Sequence, residues 1–105
     1  MTQLKVTQRA ARDTDDVFDY LANVAGTRTA ERHLLRIQQT IERLIDWPEA
    51  VQRRPELGRN VRLAVVAPFV VIYRYEREHD LLTILRVLHG RRNVTDQMIH
   101  PSDRT

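Results

Sequence analysis

The sequence predicts a single α+β domain made of a helical pair and an antiparallel sheet. Two adjacent segments in the first half of the 105 residues have the apolar spacing of amphipathic helices. Three strand-like segments separated by short turns follow in the second half. Because a chain of this length can bury one modest core, we expect one domain over residues 1–94 and a polar tail over residues 95–105.

A short first strand is predicted at residues 4–7, followed by a helix that begins near Gln8. Thr7 has the side chain of a good N-cap, and Gly26 is typical of a helix C-terminus. We expect the helix dipole to favour the acidic side chains in the first half of this helix. These are Asp13, Asp15, Asp16 and Asp19.

A second helix is predicted to start at Thr27 or Thr29. Its apolar residues recur at spacings of three and four, the pattern of one buried helix face. They are Ala30, Leu34, Ile37, Ile41, Leu44 and Ile45. The helix should end where Trp47 meets Pro48, because the residue before a proline is driven out of the helical region. The short link between the two helices predicts an antiparallel helical hairpin.

A loop over residues 48–58 leads into three predicted strands, at residues 60–66, 69–75 and 81–89. Short turns join them, so we expect a three-stranded antiparallel meander. The last two strands are apolar on both faces, which is typical of interior strands. The helical hairpin would cover one face of the sheet. The other face, with only the tail available to cover it, is predicted to be a partner site.

Composition does not identify the function, but it argues against a metal-binding protein and against a membrane-spanning protein. The chain has no cysteine, its four histidines are scattered, and no segment approaches the length of a membrane span. We therefore expect a cytoplasmic protein with no metal and no cofactor. The net charge of +3 is unevenly distributed: residues 53–105 hold 10 basic and 6 acidic side chains, against 7 and 8 in residues 1–52. This distribution favours an anionic partner.

Arg86 lies among apolar residues of the last predicted strand, on the same face as Ile84 and Leu88 if the strand alternates regularly. A charge there is costly unless it is paired or sits at an opening of the core. One alternative is a salt bridge to Glu76, to Glu78 or to an acidic residue of the first helix. The other places Arg86 in a cleft with Arg62 from the neighbouring strand, and Arg74 could join either face.

His89, Arg91 and Arg92 follow the last strand around Gly90, which we interpret as a flexible hinge. Three cationic side chains so close together repel one another, and they would favour a phosphate or carboxylate partner. A solvated basic surface is the alternative. His89 is a candidate general acid or base, because histidine side chains commonly serve in that role. The aromatic side chains fall mainly on predicted core faces, which argues against base stacking.

The chain resembles the RelE/ParE superfamily of toxins from type II toxin–antitoxin, or plasmid stabilisation, modules. The resemblance covers residues 4–94 and rests on the order of the elements and on four segments. These are RAARDTDDVFDYLA, AERHLLRIQQTIERLIDWP, RPELGRNVRLAVVAPFVVIYRY and ILRVLHGRRNV. The last segment is the most specific.

The resemblance implies one of two activities. RelE-like toxins are ribosome-dependent endoribonucleases that cut messenger RNA, and Arg62, Arg86 and His89 would then be the catalytic candidates. This chain lacks the lysines of that branch and has Asn93 at the position of its C-terminal Tyr. ParE-like toxins bind and inhibit DNA gyrase without catalysis, and the chain is more similar to this branch.

The resemblance also implies a cognate antitoxin whose C-terminal segment wraps the toxin in a hetero-oligomer. We expect Arg62, Arg86, His89, Arg91 and Arg92 to bind the target or the antitoxin. The leading hypothesis is a gyrase inhibitor, the second is an endoribonuclease on the ribosome, and a non-toxic relative is the third.

Overall fold

Two helices lie against one face of a four-stranded sheet in the computed structural model, which describes residues 1–90. The elements are β1 (Gln3–Val6), α1 (Gln8–Ala25), α2 (Thr27–Asp46), β2 (Val61–Val66), β3 (Phe69–Glu76) and β4 (Leu81–His89). Short 3-10 helices occupy Pro55–Leu57 and Arg77–His79. This order confirms the predicted strand, helical hairpin and meander. The predicted tail and the side chains of Arg91 and Arg92 lie outside the described residues.

Local signals position the two helices as predicted. The Thr7 hydroxyl accepts a hydrogen bond from the Ala10 amide at 3.1 Å, which satisfies one of the free donors at the start of α1. At the other end, Gly26 adopts a positive φ of 95° and donates its amide to the Ala22 carbonyl. The Gly26 carbonyl then accepts from the Ala30 amide in the first turn of α2, so one residue joins the two helices.

The sheet has the strand order β1-β4-β3-β2. The pairs β2–β3 and β3–β4 are antiparallel, as the meander predicts, and β1 pairs with β4 in parallel. The first and last strands of the described chain are therefore neighbours. This arrangement makes β3 and β4 the interior strands, which explains why their sequences are apolar on both faces.

The helical hairpin covers one face of the sheet and forms the larger core. On the helices, Leu21 of α1 and both Ile37 and Leu44 of α2 are buried. Their strand partners include Val71, Tyr73, Leu82, Ile84 and Val87. The Tyr73 hydroxyl reaches through this core and donates to the Pro48 carbonyl at 2.7 Å, which anchors the chain as it leaves α2. Burial raises the pKa of Tyr73 to about 12.

The opposite face of the sheet forms a second apolar cluster. Its members are Leu57, Val61, Val70, Ile72, Leu85 and Leu88, and each is at most 7% exposed. Leu57, from the first 3-10 helix, packs against this face and is 1% exposed. In the structure this face is therefore buried, contrary to the predicted open partner site.

Neither helix in this part of the chain is long and apolar enough to cross a membrane. Within the same residues, no three His, Asp or Glu side chains are grouped so that they would hold a metal ion.

Candidate functional site

The end of β4, where the sequence places Arg86, is shaped by an irregularity in strand pairing. Ile72 pairs with Arg86 whereas its neighbour Tyr73 pairs with Ile84, so Leu85 is an extra residue on β4. The bulge breaks the regular alternation: Ile84 belongs to the helix-side cluster and Leu88 to the cluster on the other face. The prediction that Arg86 shares one face with both of them is therefore wrong.

Arg86 forms a buried ion pair with Asp13 of α1. Its Nε donates to Asp13 Oδ2 at 2.6 Å and its Nη2 donates to Oδ1 at 3.0 Å, a bidentate arrangement. The two side chains are only 9% and 11% exposed. Of the two alternatives for Arg86, the salt bridge to an acidic residue of the first helix is the one observed.

Asp13 also completes the edge of β4 beyond the end of β1. Along that edge, Thr7 donates its amide to the Ile84 carbonyl and its hydroxyl to the Leu85 carbonyl, both at 3.1 Å. The Val87 amide, further along, donates to Asp13 Oδ2 at 3.0 Å. Asp13 thus substitutes for a strand partner. It lies beyond the first turn of α1, which contains no acidic residue, so the helix dipole does not explain its position.

His89 ends β4 in an aromatic cluster with Phe69 at its centre. The His89 and Phe69 rings meet edge to face with centroids 5.7 Å apart, and His33 of α2 meets Phe69 at 5.9 Å. His33 is held in place by a 3.0 Å hydrogen bond between Nδ1 and the Thr29 carbonyl. His89 lines a groove of about 350 Å³ that Tyr20 of α1 also lines. His89 is therefore accessible at a mostly apolar groove.

Gly90 is tightly packed, contrary to its interpretation as a hinge. Its amide donates to the Pro68 carbonyl at 2.7 Å, which fastens the end of β4 to the turn between β2 and β3. A Cβ at this position would lie 3.1 Å from the same carbonyl oxygen, closer than an ordinary contact. Gly90 is therefore fixed beside Pro68 at the end of β4.

Arg62 lies elsewhere and holds the loop that follows α2. Its Nη1 donates to the Val51 carbonyl at 2.5 Å, and its Nη2 lies 3.5 Å from Glu49 Oε2. The same Glu49 oxygen accepts from Arg77 Nη2 at 2.6 Å. The hydrogen bond from Arg77 is the main cause of the lowered pKa of Glu49.

The predicted cleft shared by Arg62 and Arg86 is not present. Strand β3 separates β2, which carries Arg62, from β4, which carries Arg86, and the two guanidinium groups bind different partners. Arg74 of β3 pairs in register with Val61 and lies at the sheet end where β2 begins. Within residues 1–90, Arg62 and His89 line separate cavities, so the proposed acid–base set does not converge.

A surface between α2 and β2 is more exposed than the sequence indicates. Trp47 is 72% exposed and Val65 is 70% exposed, although the aromatic residues are predicted to lie mainly on core faces. These two side chains flank a cavity of about 280 Å³. We call this the α2–β2 surface, lined by Thr40, Arg43, Leu44, Trp47, Ala50, Val51, Ala64 and Val65.

The α2–β2 surface borders an outer edge of the sheet. Within the described chain, the outer side of β2 is paired at its start, by a bridge between Arg53 and Arg62. An outer strand with unpaired backbone groups is a template for a further strand. The position of Trp47, at the helix end and just before Pro48, is the sequence signal that would have indicated its exposure.

Comparison with known protein families and structures gives a consistent result. The family model described as the ParE toxin of the type II toxin–antitoxin system, parDE, matches residues 4–94. Toxin ParE3 of Caulobacter vibrioides is 33% identical over 92 residues, which cover 88% of this chain and 90% of that protein.

Two solved structures of toxin–antitoxin systems are similar to this fold. A chain of the chromosomal ParDE system from P. aeruginosa has a TM-score of 0.72 and 25% identity, and the match covers 85% of this chain and 96% of that chain. A chain of the RelBE2 toxin–antitoxin complex from Mycobacterium tuberculosis has a TM-score of 0.63 and 24% identity, with 84% and 96% covered. The second likeness concerns the fold alone.

Proposed function

Because the chain belongs to the family of ParE toxins of type II toxin–antitoxin systems, we propose that it inhibits DNA gyrase and is neutralised by a cognate antitoxin. The family match over residues 4–94 is the observation that carries this proposal. Inhibition would proceed by binding alone. The proposal implies action in the cytoplasm, where gyrase works on the chromosome.

Message cleavage of the RelE type has less support. That chemistry needs a base, an acid and cations around one phosphate. Arg86 is engaged by Asp13, and Arg62 is engaged by the loop after α2. Within residues 1–90, Arg62 lines a different cavity from His89, and Arg86 is paired with Asp13, which favours binding over catalysis.

The segment that follows β4 is our candidate for the contact with gyrase. His89 and Gly90, which precede Arg91 and Arg92 in the sequence, are held at the end of the sheet by Phe69 and Pro68. Two adjacent guanidinium groups suit a carboxylate or phosphate partner. Arg62 and Arg86 would contribute indirectly, by holding the loop after α2 and the end of β4 in place.

The α2–β2 surface is our candidate for the antitoxin contact. It combines exposed apolar side chains, Trp47 and Val65, and the cationic Arg43 with the outer side of β2, which within residues 1–90 is paired only at its start. An acidic, extended antitoxin segment would cover the apolar residues, pair with β2 and neutralise the arginine. The similar chain of 25% identity comes from a ParDE toxin–antitoxin system, which supports a cognate antitoxin as the partner.

A paired assay of the purified toxin tests the proposal. One arm measures gyrase supercoiling of a relaxed plasmid, and the other measures message cleavage in a translating extract. We expect supercoiling to be lost while the message stays intact. Cleaved message with normal supercoiling would contradict the proposal and return Arg62, Arg86 and His89 to candidate catalytic residues.

Reversing the charges of Arg91 and Arg92 tests whether these residues contact gyrase. The variant Arg91→Glu/Arg92→Glu should lose inhibition of gyrase, because repulsion replaces attraction at the anionic partner. The matched control, Arg28→Glu/Arg32→Glu on the exposed side of α2, should inhibit like the wild type. Equal inhibition by the first variant would exclude Arg91 and Arg92 from the contact.

A further inference from the structure

A polar cavity opens where β2 begins and β3 ends, at the end of the sheet opposite His89. Its volume is about 170 Å³, and its charged lining consists of Arg53, Arg62 and Arg77 with Glu49 and Glu78. The strand register shows that this cavity and the His89 groove lie at opposite ends of the sheet. Phe69 pairs with His89 at one end of β3, and Arg74 pairs with Val61 near the other end. Neither the proposed gyrase contact nor the proposed antitoxin contact uses this cavity.

The cavity holds more positive charge than its acidic groups compensate directly. A single oxygen, Glu49 Oε2, lies 2.6 Å from Arg77 Nη2 and 3.5 Å from Arg62 Nη2. Within residues 1–90, Arg53 has no ion pair. The pKa of Glu49 is lowered mainly by the hydrogen bond from Arg77. The positive charges of Arg77, Arg62 and Arg53 lower it further, so Arg53 also interacts electrostatically with this carboxylate. Three guanidinium groups and two carboxylates, Glu49 and Glu78, thus line the cavity, and within residues 1–90 its ion pairs are made by Glu49.

Arg62, one of the lining residues of this cavity, has a side-chain donor that is not used. Its side chain is 9% exposed, and its Nε–H is buried with no acceptor in the part of the chain that the structure describes. Buried donors are normally satisfied, so an unsatisfied one is a place where an acceptor is expected. A phosphoryl group has several acceptor oxygens, and a guanidinium fork is suited to it.

We propose that this cavity binds a phosphate of a nucleic-acid backbone, and that Glu49 occupies it with its own carboxylate when no nucleic acid is bound. Glu49 is 40% exposed on a loop, so its side chain has room to leave. The binding of a chain of phosphates is favoured over a single ion because further arginines adjoin the site. Arg59 and Arg74 line cavities that share Asn60 with this one.

Two substitutions test the proposal by opposite effects on binding of a short labelled DNA duplex, measured by fluorescence anisotropy. Glu49→Gln removes the competing charge and should tighten binding by about three- to fivefold. Arg53→Ala removes an exposed cation and should weaken binding by a similar factor. Arg53→Ala should also lower the slope of log affinity against log salt by about 0.9, the value for one phosphate contact.

Matched controls exclude a general effect of net charge. Arg28→Ala and Glu31→Gln make the same charge changes in the first turns of α2. They lie far from the cavity, because the 20 residues of this helix span about 30 Å. Both controls should bind the duplex within about 1.5-fold of the wild type. Circular dichroism of each variant verifies that the fold is retained.

Three results would overturn the inference. The first is no duplex binding at low salt, and the second is equal effects of site and control substitutions. The third is that inorganic phosphate competes with the duplex and binds with an equal affinity, which would indicate a site for the free ion. The inference does not depend on gyrase as the target, because the two proposals can fail separately. If the wild-type toxin blocks supercoiling but Glu49→Gln binds the duplex no more tightly than the wild type, the proposed function stands and this phosphate site is excluded.

Discussion

Asp13 is the residue on which the end of β4 depends most. Its carboxylate accepts hydrogen bonds from Arg86 Nε, Arg86 Nη2 and the Val87 amide while almost fully buried. The ion pair neutralises a charge that would be costly inside the protein, and the bond from Val87 satisfies a strand-edge donor. A single side chain therefore connects α1, the bulge in β4 and the approach to His89.

Asp13→Ala should lower the free energy of unfolding by about 2–4 kcal/mol, because it leaves the buried Arg86 charge and the Val87 amide without this acceptor. Asp13→Asn keeps an acceptor but loses the charge, so its effect should be smaller. Urea denaturation measures both.

The matched control is Asp15→Ala, at an exposed position of the same helix. It should change the free energy of unfolding by less than about 0.5 kcal/mol. Equal losses for Asp13→Ala and Asp15→Ala would mean that the Asp13 contacts with β4 contribute little to stability.

At the scale of elements, the sheet has two unlike outer strands. Strand β1 lies outside β4, and beyond its end Thr7 and Asp13 take over the pairing of that edge. Strand β2 has a partner at its start, the bridge from Arg53, and then borders the exposed Trp47 and Val65. Both outer strands can in principle accept a further strand, and we propose β2 as the docking edge because the exposed apolar side chains of Trp47 and Val65 lie beside it.

Trp47 provides a direct test of the α2–β2 surface, since it is the single tryptophan of the chain. Addition of a tryptophan-free antitoxin segment should shift its emission to shorter wavelength and protect it from acrylamide, because the exposed indole becomes buried. Val65→Lys should weaken binding by about tenfold, the effect of placing a charge in an apolar contact.

Tyr20→Ala is the control for this measurement, because Tyr20 is 61% exposed on α1, beside the other groove. It should leave antitoxin affinity unchanged. Full binding without a change in Trp47 emission would place the antitoxin elsewhere.

At the scale of the whole molecule, Asp80 ties the start of the chain to the start of β4. Its Oδ1 accepts from the Thr2 and Tyr75 hydroxyl groups, each at 2.8 Å, and its carbonyl accepts from the Gln3 amide at 2.9 Å. Every residue of β1 is exposed, so this strand depends on backbone pairing and on these contacts more than on apolar burial.

The Asp80 contacts should weaken in acid. Hydrogen bonds from Thr2 and Tyr75 hold the pKa of Asp80 below its ordinary value of 3.8. The stability that Asp80 contributes is therefore fully present above pH 3.8 and is lost as the pH falls through the lower pKa of the folded protein. Hydrogen exchange of the β1 amides should accelerate over this range.

Asp80→Asn is a suitable comparison, because Asn tolerates the positive φ of 48° at this position. In this variant the β1 amides should exchange faster than in the wild type above pH 3.8, and the acid-dependent loss at Asp80 should disappear. An unchanged acid profile would show that other carboxylates govern the loosening of β1.

Much of the candidate site was beyond prediction from sequence. An acidic partner for Arg86 in the first helix was among the alternatives, because a buried charge needs a counter-charge. Its identity as Asp13 follows from the bulge at Leu85, which local alternation does not reveal. The shared cleft of Arg62 and Arg86 was predicted wrongly, since pairing order places β3 between their strands.

The sequence by itself determined the elements and their ends. Apolar periodicity defines the helices and strands, and Thr7, Gly26 and Pro48 mark the boundaries through capping and restricted backbone angles. These are interactions between near neighbours, so they are encoded locally. Tertiary structure alone decided the parallel pairing of β1 with β4, the burial of the second sheet face and the exposure of Trp47. Each of these depends on contacts between distant residues, which a local pattern does not specify.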